Sequence, residues 1–442
     1  AGRRRGEQSN TRESFPCRFY FSCVEDFAGS PADGTRSLLL PRRSGYPPPP
    51  MPPWLPQFIA SIIVIVVVLH TCLGAAAYLI LLERKVCAWA QDRIGPSRVG
   101  PMGLLQPLAD GLKLFFKEEF MPRGVDRALF MLAPALTVIP AMIGFVVIPF
   151  GGFLDLGDGQ QVAIMGADIN IGVIYLVAAA SLGVYGIALG GWASNNKYSF
   201  LGGLRASAQM ISYEIPMGLA LLCVVLTAGT LLPQQIVAQQ LDAQWYLLQQ
   251  PIVAIIFYIC LLAEAGRAPF DLAEAEQELI GGWHTEYSSM KWALFFMGEY
   301  IHVVIGSAFF VTLFLGGWSL NPVTGWDLPQ SGGIWLILLQ FGIVLGKVFL
   351  LVFLTMMVRW TLPRFRFDQL MKLAWEGLIP LSLLLLLMTS LFVYLGWTPY
   401  LWAGSLVCLA LIWFFVPFML GQASSNQKIG LIGSRFSPPR GR

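Results

Sequence analysis

The sequence predicts an all-α, polytopic membrane protein with about 8–9 transmembrane helices and one amphipathic helix in the interface, on three observations. Hydrophobic residues make up 56% of the 442 and charged residues only 12%. That is half the ~25% of soluble domains, so the chain cannot cover itself with polar surface in water. Nine stretches reach or approach the roughly 20 apolar residues that cross about 30 Å of hydrocarbon. Lysine and arginine are confined to alternate connections between those stretches.

Residues 1–50 precede the first stretch and break the pattern. Their eight arginines, among them Arg3, Arg4, Arg5, Arg42 and Arg43, would have to be exported ahead of it, with no apolar signal-peptide core to help. Pro47 to Pro50 then lead into Met51-Pro52-Pro53-Trp54, which reads as a natural start with an interfacial tryptophan. The segment is expected to be a disordered extension, a removed leader or a mis-called start. The membrane domain is expected to occupy 51–421 and a cytoplasmic tail 422–442.

The spans fall near 57–82, 129–150, 169–191, 208–231, 251–266, 290–316, 334–358, 374–395 and 400–420, the fifth being the shortest. Arg84, Lys85, Arg93, Arg98, Lys113, Lys117, Arg123 and Arg127 lie between spans one and two. Lys197, Arg205, Arg267 and Lys291 accompany the next two odd-to-even loops, and Arg359, Arg364, Arg366 and Lys372 the fourth. The opposite loops hold Asp155, Asp158, Asp168, Asp242 and Asp327 without lysine or arginine. Positive residues stay inside, so the basic loops and the C-terminus face the cytoplasm and span one begins outside. Within the first basic loop, Leu104, Leu108, Leu112 and Phe116 recur every four residues, while Gln106, Asp110, Lys113 and Lys117 fall on the other side. That pattern predicts a helix lying in the interface, its apolar face against lipid or a lipid-soluble substrate.

Several functions are disfavoured. A net charge of +3 is too small to argue for nucleic acid. The seven cysteines form no C-x-x-C pair, which fits neither zinc, nor an iron–sulfur cluster, nor a disulfide framework. His284 and His302 are too far apart to suggest a metal, and His70 reads as a hydrogen-bonded helix residue. Gly342 to Lys347 has the wrong spacing for a phosphate loop. The pairs Gly186/Gly190 and Gly342/Gly346 read as helix-packing motifs. Redox chemistry must then belong to a partner.

Acidic residues carry the functional signal. A carboxylate deep in a membrane is costly unless neutralised, paired or wetted. Glu214 lies in span four, Glu264 closes span five, and Glu299 lies in span six, so the three could form a wet proton relay. Loop five–six is denser. Arg267 and Asp271 flank the helix-breaking Pro269, Glu274 and Glu278 share a helical face, and Glu276 and Glu286 follow the same loop. Like charges so close need cationic partners, which Arg84, Arg93, Arg267 and the loop seven–eight arginines can supply.

Glu83-Arg84-Lys85-Val86, Gln91-Asp92-Arg93-Ile94-Gly95-Pro96 and Gly103-Leu104-Leu105-Gln106-Pro107 resemble the family of the H subunit of NADH–quinone oxidoreductase, called subunit 1 in mitochondrial complex I. So do Gly191 to Tyr198, Ala263 to Glu278 and Pro363 to Leu370, and the resemblance runs from about residue 51 to 420. Gly266, where the family often has Asn, and Gly298, where Ala is common, are small departures that remove no charge. The resemblance implies a subunit at the heel of an L-shaped complex in a bacterial inner membrane. NADH, FMN and iron–sulfur clusters would be held by peripheral-arm partners, and quinone would be the substrate. It implies that Glu83, Arg84, Arg93 and Asp110 line the side where quinone enters. Arg267, Asp271, Glu274, Glu276, Glu278 and Glu286 would form an acidic loop, with Arg364, Arg366 and Asp368 at the facing surface. Glu214, Glu264 and Glu299 match the family's intramembrane glutamates. No metal is expected on this chain. The competing readings are the membrane anchor of an ion-pumping hydrogenase and a free-standing secondary transporter. The complete charged motifs disfavour the first, and the absence of an internal repeat the second.

Overall fold

A computed structural model describes residues 54–156, 160–273, 279–323 and 327–419, with side chains through 414, all within the unit Met51–Arg442. Glu274, Glu276 and Glu278, and the segments 1–50 and 422–442, lie outside the described residues.

The described chain is a helical bundle. The longer helices are α1 (Leu55–Ala90), α2 (Gln106–Phe116), α3 (Arg127–Gly144), α4 (Gly172–Ala193), α5 (Lys197–Ala228), α6 (Pro233–Asp242), α7 (Pro251–Glu264), α8 (Ser289–Phe314), α9 (Ile334–Thr361), α10 (Phe367–Tyr394) and α11 (Leu401–Met419). Among the described residues seven of them are long and apolar enough to cross a membrane, while α7 and the last helix are shorter apolar segments. Their places agree with the nine expected spans.

Two boundaries differ from expectation, for reasons of charge. Helix α1 continues through Glu83, Arg84 and Lys85, which sequence reasoning assigned to a loop. They stay helical because their side chains find partners on other elements, Arg84 on Asp110 and Lys85 on the Met102 carbonyl. Helix α5 starts at Lys197, well before the expected 208, because the Asn196 side chain caps it, accepting from the Tyr198 amide at 2.9 Å. The Asp126 carboxylate caps α3 in the same way, accepting from the Ala128 and Leu129 amides.

Lipid is as apolar as leucine, so the bundle is held by close packing and internal polar bonds. At Gly186 on α4 an added Cβ would lie 2.8 Å from the Thr137 backbone nitrogen on α3. Gly191 and Gly203 let α4 and α5 approach in the same way, an added Cβ at either meeting the other's backbone at 3.1–3.3 Å. By contrast Gly342 and Gly346 on α9 face open space within this chain, so the expected packing role finds no partner helix here. Helix α8 is central, with 67% of its most apolar window buried against 11% for α1. Phe257 of α7 is fully buried, its ring 5.5 Å from both Phe309 and Phe314 of α8. Helix α10 contains a π-helical stretch, Leu373–Leu378. Beside it Trp375 donates to Ser212 Oγ at 3.2 Å, and Tyr213 donates to the Leu370 carbonyl at 3.0 Å.

The loops gather at two ends. At one end lie the arginine-rich connections, with the Phe365 amide donating to the Pro269 carbonyl. At the other a small sheet forms that the sequence did not announce. Its strands are β1 (Phe153–Asp155), antiparallel to β2 (Gln161–Ala163) and parallel to β3 (Ser331–Gly332). The buried Gln340 binds it to α9, accepting from the Gly152 amide and donating to the Pro329 carbonyl, each at 2.8 Å.

Helix α2 forms where the four-residue period placed it and buries none of its residues in this chain. It is tied down at its middle and at its C-terminal end. Arg84 donates to Asp110 at 2.6 Å, and Ser289 Oγ reaches the Leu114 and Lys117 carbonyls at 2.9 and 3.0 Å. Leu108, Leu112 and Phe116 are left exposed.

Candidate functional site

The site is organised around Glu83, which is 8% exposed. Its carboxylate accepts from the Tyr300 hydroxyl of α8 at 2.5 Å and from Arg359 of α9. Arg267, on the loop after α7, lies 3.6 Å from it, sits 4.1 Å over the Tyr300 ring and reaches within 4.0 Å of Glu299. One carboxylate from α1 thus pins α8, α9 and the following loop. Glu83 and Arg267 are its buried part, while Arg359 keeps 42% of its side chain exposed. Removing one partner of a buried pair typically costs ~3–5 kcal/mol, since the remaining charge stays buried. The loop is held in turn by Gln209 of α5, whose Nε2 donates to the Ala263 and Phe270 carbonyls at 2.8 and 2.9 Å. The Ala268–Pro269 peptide in it is cis.

A cavity of about 730 Å³ opens beside this cluster, within the size range of ligand pockets, ~300–1,000 Å³. Among the described residues five arginines (84, 93, 267, 359 and 364) and three carboxylates (Glu83, Asp271 and Glu299) line it, together with aromatic rings including Tyr300 and Phe296. The cationic excess among these described residues favours an electron-rich ligand and any negative charge it gains. The rings give a flat group something to stack on.

Two smaller cavities continue inward. One, about 40 Å³, is lined by Glu299, Glu264 and Gln209, and the next, about 10 Å³, by Glu264, Glu214 and Ser181. A water needs roughly 10–15 Å³ measured this way, so they have room for about three waters and about one. Ser181 donates to Glu214. Glu299 belongs to the walls of both the large and the middle cavity, and Glu264 to those of both the middle and the last. Among the described residues one titratable side chain stands at each junction.

Of the residues singled out from sequence, the structure brings Glu83, Arg84, Arg93, Arg267, Asp271, Arg364 and Glu299 to one cavity. Arg364 donates to Asp271 at 2.9 Å. Asp110 stands one step behind, bonded to Arg84 and Gln106. Glu286 accepts from Asn196 at 2.6 Å and joins two loops away from the cavity wall. Arg366 and Asp368 do not line the cavity. They face each other at 3.5 Å with side chains 74% and 59% exposed, where α10 begins at the surface. Sequence reasoning missed Tyr300, Gln209 and Ser181 and took Arg359 only as a loop cation, since none of them stands in a charged motif. Among the described residues no group of three or more His, Cys, Asp and Glu is arranged to hold a metal ion.

Residues 62–390 match the family model described as NADH dehydrogenase. The chain is 48% identical over 328 residues to the NADH-quinone oxidoreductase H subunit 1 of Cytophaga hutchinsonii, covering 74% of this chain and 95% of that protein. It is 52% identical over 318 residues to the NADH-quinone oxidoreductase H subunit of Protochlamydia amoebophila, covering 72% and 93%. To the H subunit 2 of Geobacter metallireducens it is 46% identical over 350 residues, covering 76% and 96%. The chain belongs to the NADH dehydrogenase family, among the H subunits of NADH-quinone oxidoreductases.

Proposed function

We propose, on the premise of that family membership, that the chain is a membrane subunit of a proton-pumping NADH–quinone oxidoreductase. It walls part of the quinone tunnel and couples quinone reduction to proton translocation through Glu299, Glu264 and Glu214. The observation that carries this reading is the series of cavities whose junctions are those carboxylates. The other membrane-arm and peripheral-arm subunits are its partners, and NADH, FMN and the iron–sulfur clusters that deliver electrons are held by them. The arginine-rich end and the C-terminus face the cytoplasm, with α1 entering the bacterial inner membrane from outside.

The chemistry follows from the walls. The isoprenoid tail lies along the apolar face of α2 and the neighbouring lipid. The headgroup enters the cationic cavity, where the arginines favour charge gained on reduction. Conversion to quinol takes up two electrons and two protons. Arg267, between Glu83 and Glu299, feels each change of headgroup charge and transmits it to the first glutamate of the series.

The test uses the assembled complex in proteoliposomes. Glu264→Gln or Glu214→Gln should lower protons moved per quinone reduced while the complex still assembles and reduces quinone. Normal pumping in either variant would count against the relay. A photoreactive quinone analogue should label cavity residues, and failure to reach this chain would favour the hydrogenase-anchor reading.

A further inference from the structure

A fourth cavity leaves the glutamate series sideways. It measures about 20 Å³, room for about one water, and lies between α7, α8 and α9. It shares two residues with the middle cavity, Ala265 and His302. Alanine has no proton to give, so among the described residues the imidazole of His302 is the one titratable group common to both. Its ring is seated in a space that Gly183 of α4 leaves open, where an added Cβ would lie 3.0 Å from Nε2. On the far side, Tyr258 of α7 and Thr355 of α9 join hydroxyls at 3.1 Å. This junction therefore repeats the pattern of Glu299 and Glu264, one ionisable side chain between two spaces large enough for water.

We propose that His302 is a proton-carrying residue that gives the relay a second branch, from the Glu264–Glu299 cavity to the Tyr258–Thr355 pair. The proposal rests on the relay reading above. An imidazole suits the place because it has two nitrogens, one to take a proton and the other to release one. A water in the middle cavity passes a proton from the Glu264 carboxyl to one ring nitrogen, leaving the carboxylate. The other nitrogen gives its proton to water in the side cavity, and the ring is neutral again. Among the described residues the titratable groups facing the ring across the two cavities are Glu264 and Tyr258 of α7 and Glu299 of its own helix. Thr137 of α3, Gly183 of α4 and Thr355 of α9 add none.

The experiment compares His302→Asn, Glu264→Gln and the double variant Tyr258→Phe/Thr355→Val in the reconstituted complex. Protons moved per quinone reduced are followed between about pH 6 and 9. Protons per quinone should fall by roughly half in His302→Asn and in the double variant, with a changed pH profile and unchanged uncoupled quinone reduction. If Glu264→Gln lowers pumping while His302→Asn keeps the native ratio and profile, the branch is overturned and the relay stands. If Glu264→Gln itself pumps normally, the relay fails and the branch with it. Should His302→Asn not assemble, the double variant decides, and native pumping there overturns the branch.

Discussion

The two ends of the bundle treat buried charge in opposite ways. At the arginine-rich end, Glu83, Arg267 and Arg359 meet as charges and border an open cavity. At the other end Lys347 of α9 is met by backbone. Its Nζ donates to the carbonyls of Leu315, Gly317 and Ser319 at 2.6, 2.9 and 2.5 Å and lies 4.4 Å from the Trp245 ring. An ammonium has three protons, and here all are used. They cap the carbonyl end of α8, where the helix dipole favours a cation. Ser319 also donates to Asp327 and accepts from Trp245 Nε1 at 2.9 Å, so the cluster is a closed knot. Charges facing one another across space can exchange partners and respond to a ligand. A charge saturated by main-chain carbonyls fastens one helix end to the next.

The sharpest way to break this contrast is Glu83→Ala. Leaving Arg267 and Arg359 without their shared carboxylate should cost ~3–5 kcal/mol. Thermal denaturation of the purified complex should show a large fall in midpoint or a loss of assembly, and quinone reduction should vanish. Full activity in that variant would remove Glu83 from the centre of the site. Lys347→Met should come next, at ~1–3 kcal/mol for the carbonyls left unsatisfied. Here the expected outcome splits. The midpoint falls, while quinone reduced per assembled complex stays native. A lower turnover with an unchanged midpoint would show that the outer knot takes part in the cycle. Arg366→Ala should have the smallest effect, within ~0–1 kcal/mol for an exposed pair and with native kinetics. A marked rise in the KM for quinone would bring Arg366 back into the site.

The same contrast explains what could be read from the chain. Apolar stretches and the four-residue period of α2 are local signals, and both the spans and the interfacial helix appear where they fall. Clustered charges are local too, so the motifs around Glu83, Arg93 and Arg267 pointed to residues that share a wall. Tyr300 and Arg359 reach Glu83 across 217 and 276 residues of sequence, and nothing near either announces that meeting. The three strands have only two or three residues each, too short for an alternating pattern to show. Charge usually marks the end of a helix in lipid, but at α1 partners on other elements let the helix run on through its charged end.

The widened turn in α10 has a consequence for the chain's tolerance of insertions and deletions. A π-helical stretch holds about one residue more than an α-helix closing the same distance. Deleting Gly377, inside Leu373–Leu378, should let the surplus be absorbed as the turn tightens, leaving the faces before and after it aligned. The same loss in the middle of α9 would rotate one half against the other by about 100°, one residue's share of a 3.6-residue turn, carrying Thr355 and Arg359 away from their neighbours. Among the described long helices, α10 is the one whose register should survive the loss of a single codon.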